Sequence, residues 1–249
     1  MQALRVEQDG NLLRVTLARP ERRNAFDAEL IGELTEAFSS VREDVRAVVL
    51  AGDGPSFCAG ADVEWQRASI DLTFDENLED ALRLYGMLAA VDSCPAPLVA
   101  RVQGYALGGG SGLVACADVA VAAPDATFGF SEVRLGIIPA VISPFVFAKI
   151  GTGAARHLFV TGERFGAETA LRIGLVHQVA EKADEAVDRI VRDILSSGPE
   201  ATRAAKRLAR TRPTEAEELA RIAAHLRAGE EGQEGLRAFL EKRRPHWAG

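Results

Sequence analysis

Cysteine is scarce in this 249-residue chain: Cys58, Cys94 and Cys116 make no C-x-x-C pair and no metal-ligand spacing. An odd number closes no disulfide framework, so a reducing, cytoplasmic setting is expected and a metal site is not. Positive charge is also short, with 29 Lys and Arg against 36 Asp and Glu, a net charge of −7. Nucleic-acid binding needs a concentrated excess of cations, and this balance argues against it. No apolar run has the length of a membrane span, and the first residues lack a basic segment leading into an apolar one, so no membrane partner is expected. His157, His177, His225 and His246 are scattered, without i, i+4 or triad-like spacing, and read as surface or packing residues.

What the chain does have is glycine in clusters. The stretch Val102-Gln-Gly-Tyr-Ala-Leu-Gly-Gly-Gly-Ser-Gly-Leu113 follows the short apolar run Pro97-Leu-Val-Ala-Arg-Val102. It reads as a buried strand turning sharply into a helix that starts near Gly109. The first N–H groups of such a helix have no intrahelical partner and favour negative charge. No Gly-Lys-Ser/Thr follows, and neither G-x-G-x-x-G nor G-x-S-x-G fits, which excludes three familiar glycine motifs. A second glycine turn, Gly52-Asp-Gly-Pro-Ser-Phe-Cys-Ala-Gly-Ala-Asp62, follows the apolar run Arg46–Gly52. These two strand–turn–helix units, 48–63 and 99–115, hint at a repeated superhelical coil.

The rest of the chain fits around them. Residues 4–18 alternate as a hairpin about Asp9-Gly10-Asn11. Asp27 is placed to cap a helix with Leu30, Ile31, Leu34, Phe38 and Val41 on one face, and Asp62 to cap another. Residues 70–77 read as irregular, and Leu78, Leu82, Tyr85 and Leu88 mark an amphipathic helix stopped by Cys94-Pro95. Short strands are expected at 118–122 and 126–130, with the sheet ending before the helix that Ser143-Pro144 opens. Beyond it helices dominate, at 144–150, 154–161, 167–173, 184–195, 200–209, 215–227 and 234–243, with a short edge strand at 175–179.

Two glycine corners, at Ala59-Gly60 and Gly108-Gly109-Gly110, each present backbone N–H groups, and two donors aimed at one point make an oxyanion hole. Proton transfer then needs a nearby acid or base. Glu132 lies at the exit of a strand between apolar stretches, where its pKa would rise toward that task. The competing reading is a salt bridge to Arg134 or a solvated loop carboxylate. Ser111 has no histidine placed to activate it, and Cys58 and Cys116 read as small buried residues.

Taken together, Ser56-Phe-Cys-Ala-Gly-Ala-Asp-Val63, Val102–Gly110, Cys116-Ala-Asp118, Ala126-Thr-Phe-Gly129 and Leu135-Gly-Ile-Ile-Pro139 resemble the crotonase (enoyl-CoA hydratase/isomerase) superfamily. Arg19-Pro20, Asn24-Ala25, Thr161-Gly-Glu163, Gly174-Leu-Val176 and Phe239–Pro245 extend the likeness over nearly the whole chain. The resemblance implies an α/β fold: a ββα superhelix over 1–195 and a C-terminal helical trimerisation region over 196–249, assembled as a homotrimer or dimer of trimers. It implies an acyl-CoA thioester as substrate, with coenzyme A entering on the substrate and no further cofactor. It assigns the oxyanion hole to Ala59 and Gly109 and the acid–base role to Glu132. Arg22, Arg23, Ala25, Ala59, Gly60, Ala61, Asp62 and Val63 match the walls of the CoA channel, and Lys242 matches a residue reaching CoA from a neighbouring subunit. Gly112, Phe130, Pro139 and Ala140 match the acyl pocket.

One departure stands out. Enoyl-CoA hydratases of this superfamily carry a second glutamate where this chain has Gly112, which is expected to leave room for a branched or bulkier acyl group. The segment 131–144, with Ala140-Val-Ile-Ser143 in place of a glycine-rich turn, resembles the branch acting on methylglutaconyl- and isohexenylglutaconyl-type CoA esters. Arg67, Arg83 and Arg134 are the candidates for a second substrate carboxylate. The activity implied is hydration of a 2-enoyl-CoA, with Δ3,Δ2-enoyl-CoA isomerisation as the alternative; a thioesterase and an RNA-binding role rank below both.

Overall fold

A computed structural model of the chain describes residues 3–248. The N-terminal hairpin forms as the alternation predicts, β1 Leu4–Asp9 against β2 Leu12–Leu17, antiparallel about Gly10 at φ +56. Helix α1 Ala28–Ser39 starts where the Asp27 carboxylate accepts the Leu30 N–H at 2.9 Å, and it buries Leu30, Ile31, Leu34 and Phe38. Capping of this kind satisfies one of the orphan donors of the first turn.

Strand β3 Ala47–Gly52 is followed by the first glycine corner and the short helix α2 Val63–Ala68, capped by Asp62. The stretch expected to be irregular contains a 3-10 turn, Ser69–Asp71, and the start of helix α3 Phe74–Asp92. Thr73 and Glu76 form a reciprocal capping box there, a start signal hidden in a polar run. Of the apolar face expected on α3, Leu88 is fully buried, whereas Leu78, Leu82 and Tyr85 stay exposed.

Strand β4 Leu98–Val102 leads to the second corner. There residues 105–107, expected to be part of the turn, form a strand of their own, β5 Tyr105–Leu107, ahead of helix α4 Gly109–Cys116. Strands β6 Val119–Ala122 and β7 Thr127–Gly129 follow. Helix α5 Ser143–Thr161 breaks at Gly151 (φ 72, ψ 164), which accounts for the two helical stretches expected in this region. The sheet does not end before it. Strand β8 Arg164–Gly166, helix α6 Ala167–Arg172 and strand β9 Gln178–Val179 come after, and β9 is the edge strand that the sequence indicates. Helices α7 Ala183–Ser196, α8 Pro199–Thr211, α9 Ala216–Ala228 and α10 Glu230–Leu240 complete the chain, the last starting and stopping earlier than expected.

The main sheet runs β1-β2-β3-β4-β6-β9, parallel from β2 onward, and a smaller sheet runs β5-β7-β8. The strands β3 and β4 are nearly continuous apolar runs because both of their faces are covered. One face packs against α1, α3 and α4 and the other against α7, which gives two apolar clusters on opposite sides of one sheet. Both glycine corners open at the carboxyl ends of these central strands, the crevice in which ligands of parallel sheets commonly bind.

Candidate active site

The two corners are stitched together through their backbones. Phe57 N–H donates to Gln103 O at 2.8 Å, Cys58 N–H to Tyr105 O at 2.9 Å, and Leu107 N–H to Cys58 O at 3.0 Å. Such proximity excludes side chains at two positions. A Cβ on Gly110 would stand 2.3 Å from Cys58 O, and one on Gly60, at φ +92, would stand 2.9 Å from Leu107 O. The first corner is held from beneath by buried Asn24, whose Nδ2 donates to Asp53 O and Ser56 O and whose Oδ1 accepts the Arg19 N–H.

At each corner one must ask which N–H is free. The N–H of Ala59, the donor expected at the first corner, is spent on Arg23 O at 3.0 Å. The free N–H of this corner lies two residues along: Ala61 N–H has no acceptor among the described residues, and Ala61 lines the cavity. Gly109 N–H, the first of α4, is also without an acceptor among the described residues, as the start of a helix requires. Ala61 and Gly109 border one cavity of about 490 Å³.

Glu132 opens a 3-10 turn, Glu132–Leu135, at the exit of β7 and lines the same cavity. Its Oε1 lies 3.2 Å from where a Cβ on Gly108 would stand, so the carboxyl is aimed at the second corner. Its Oε2 is buried with no hydrogen-bond partner, and burial pushes the carboxyl above its ordinary pKa. Among the described residues no ion pair joins it to Arg134. The result is a desolvated carboxyl beside two free N–H donors in an otherwise largely apolar cavity.

The enoyl-CoA hydratase/isomerase family model matches residues 7–249. The chain belongs to this family. Cyclohexa-1,5-dienecarbonyl-CoA hydratase of Thauera aromatica is 33% identical, covering 97% of this chain and 95% of its own. Among solved structures, an enoyl-CoA hydratase from Shewanella pealeana has a TM-score of 0.93 at 37% identity, covering 98% of this chain and 96% of its own. Pseudomonas aeruginosa AtuE has a TM-score of 0.94 at 37% identity, covering 99% and 100%. The chain is thus an enzyme of the crotonase superfamily, with a mixed α/β fold matching those structures.

Within this family framework, the other expected site residues fall in different places. Gly60, Ala61, Val63, Pro139 and Ala140 line the cavity together with Glu132. Asp62 does not; it accepts the Glu64 N–H and pairs with Arg22, which also pairs with Glu64. Burial is the largest single influence on Asp62 and opposes its ionisation, but the hydrogen bond and charge of Arg22 together with the backbone N–H groups of Glu64 and Trp65 outweigh it and hold the carboxyl below its ordinary range. Arg23 lies over the Tyr105 ring at 5.4 Å, and Ala25 is buried. Lys242 is exposed beyond α10 at φ 55, outside the cavity lining.

Two expected pocket residues are elsewhere. Phe130 is fully buried, its ring edge-on to Phe159 at 5.1 Å and tilted against Phe165 at 6.1 Å, because its side chain turns from the cavity into the core. Gly112 is covered by Ile142, so the space expected there is filled. Conversely, Trp65, Gln66, Asp80, Leu84 and Ile142 line the cavity without having been expected. The face of α3 that the sequence marks, Leu78, Leu82, Tyr85 and Leu88, leaves out Asp80 and Leu84, and Trp65, Gln66 and Ile142 carry no local signal of a cavity. Ser111 Oγ donates to Ala106 O at 2.6 Å, and the Cys58 thiol is pushed up to about 12 by burial, so neither is an activated nucleophile. His177 accepts the Ala120 N–H, and the other histidines lie near surface glutamates.

Proposed function

We propose that the enzyme adds water across the double bond of a 2-enoyl-CoA thioester. The observation carrying this reading is the buried, unpartnered Glu132 carboxyl aimed at the corner whose Gly109 N–H is free. In this mechanism the thioester oxygen accepts from Ala61 N–H and Gly109 N–H. Glu132 takes a proton from water as the water oxygen bonds to C3, the double-bond electrons move to the thioester oxygen as an enolate, and the proton returns to C2 as the enolate collapses. Donors fixed in advance at the developing charge are worth more in a cavity than in water. A carboxyl with a raised pKa is suited to giving the proton back.

Hydration is preferred to Δ3,Δ2-isomerisation because the Thauera aromatica and Shewanella pealeana relatives are named hydratases, and the test separates the two. With crotonyl-CoA, loss of the conjugated-thioester absorbance together with a mass gain of one water is expected. A 3-enoyl-CoA converted at constant mass, with crotonyl-CoA untouched, would establish the isomerase instead. Glu132→Gln should lower turnover by about 10² to 10⁴-fold while saturated acyl-CoA binding stays within threefold.

The finer reading is an ester of methylglutaconyl or isohexenylglutaconyl type. Arg134 and Arg164 support it: they flank a cleft that shares Ser131 and Leu135 with the cavity, and neither has a carboxylate partner among the described residues. Arg83 is already paired with Glu79 and Asp80, and Arg67 does not line the cavity. A preference for 3-methylglutaconyl-CoA over crotonyl-CoA that falls in Arg134→Ala and Arg164→Ala tests it. CoA is assigned to the walls carrying Arg22, Arg23, Ala25, Gly60 and Val63. The proposed assembly is a homotrimer or dimer of trimers, with Lys242 reaching CoA from a neighbouring copy. The exposed Leu236, Phe239 and Leu240 on α10 support such contacts, and light scattering at three or six chain masses tests them.

A further inference from the structure

One stretch of the cavity wall, at Ile142, rests on Gly112, and neither residue carries chemistry. Gly112 lies three residues beyond Gly109 in α4, about 4.5 Å along the helix axis from the N–H assigned to the thioester oxygen. A Cβ at Gly112 would stand 2.9 Å from Ile142 Cγ2, 3.2 Å from Ile142 Cβ and 3.5 Å from Leu88 Cδ2. The first distance is closer than carbon atoms pack. Ile142 is only 3% exposed, and it lines the cavity. It has nowhere to withdraw: α4 and fully buried Leu88 stand behind it, and its carbonyl accepts the Val146 N–H at the start of α5.

We infer that Ile142, seated against Gly112, is the specificity-determining residue for substituents on the acyl group near C2 and C3. This rests on the hydratase reading of the same cavity. The absence of a side chain at Gly112 does not leave a void; it lets Ile142 draw back toward α4, and the position of that side chain fixes the wall. Gly112 is therefore a positioning residue that acts through Ile142. A methyl at 112 pushes Ile142 into the cavity, whereas truncation at 142 moves the wall away from the substrate. A hydrocarbon wall distinguishes acyl groups by volume, and one methylene is worth about 10- to 200-fold in selectivity.

The test is the ratio of kcat/KM for 3-methylcrotonyl-CoA to that for crotonyl-CoA. Ile142→Ala should raise it about tenfold, Gly112→Ala should lower it about tenfold, and the double variant should return toward the parent value. The dissociation constants of isovaleryl-CoA and butyryl-CoA should move in the same order, read without turnover. Equal losses on both esters, or a ratio within twofold of the parent in a folded Ile142→Ala variant, would overturn the inference. Should Gly112→Ala not fold, Ile142→Val and Ile142→Ala decide it as a graded pair. If the parent hydrates neither ester, the hydratase reading fails, and the two binding ratios still judge Ile142 by themselves.

Discussion

The two glycine corners look alike as sequence and work differently as structure. At the first, the chain turns through Gly60 at φ +92, Arg23 O claims the Ala59 N–H, and the free donor appears on Ala61. At the second, the free donor on Gly109 follows from its being the first residue of α4. One donor is exposed by a turn and the other by a helix start. Their supports differ too: side-chain hydrogen bonds from Asn24 and Gln103 hold the first, while close packing governs the second, where a Cβ on Gly109 would stand 2.7 Å from Phe26 Cε2. Glycine in a sequence shows where the chain bends. Which N–H stays free is decided by the segment that arrives opposite.

The largest effect on this pairing should come from Gly110→Ala. Its Cβ would meet Cys58 O at 2.3 Å and drive the corners apart. A loss of about 3 kcal/mol or more is expected in urea unfolding, with acyl-CoA binding lost as well. Asn24→Ala strikes the first corner alone, leaving the buried Ser56 carbonyl, the half-buried Asp53 carbonyl and the Arg19 N–H without their partner. It should cost about 2 to 4 kcal/mol in the same measurement.

Glu132→Gln should do the opposite to stability. Burial raises the folded pKa of Glu132, so its contribution to stability is full below the unfolded pKa and is lost as pH rises through the folded one. A glutamine cannot ionise. The variant should melt above the parent at about pH 8, with the gap closing toward about pH 4, where the unfolded carboxyl is itself half protonated. The smallest effect is expected from Arg22→Ala. Its pair with Glu64 is open to solvent, while buried Asp62 keeps the Glu64 N–H and the neighbouring Arg19, so the melting temperature should fall by less than in Asn24→Ala.

The elements that proved readable in the sequence are those whose signals are local. The turn at Gly10, the caps Asp27 and Asp62, and the apolar runs of β3 and β4 declare themselves within a few residues. Strand β5 does not, because its three residues pair only when β7 lies beside them and Cys58 meets Ala106. Phe130, expected in the pocket, faces the core, and Ile142, for which nothing was expected, lines the cavity, because a large apolar side chain reads the same whether it faces a core of Phe159 and Phe165 or a cavity. Glu132 was legible because a carboxyl between apolar stretches is unusual. The Ala59 donor was misplaced because the acceptor that engages it, Arg23 O, lies on a distant segment.

The parallel seams of the main sheet also bear on how fast the molecule can be made. Each joins strands that no tight turn can link, and the last, β6 with β9, pairs Val121 with Gln178 and Ala122 with Val179. A nascent chain leaving the ribosome carries β3 and β4 long before β9 exists to close their sheet. Pairings so distant in sequence slow the search for the native state, and the unclosed edge at β6 leaves a half-made chain with an unpaired strand open to aggregation.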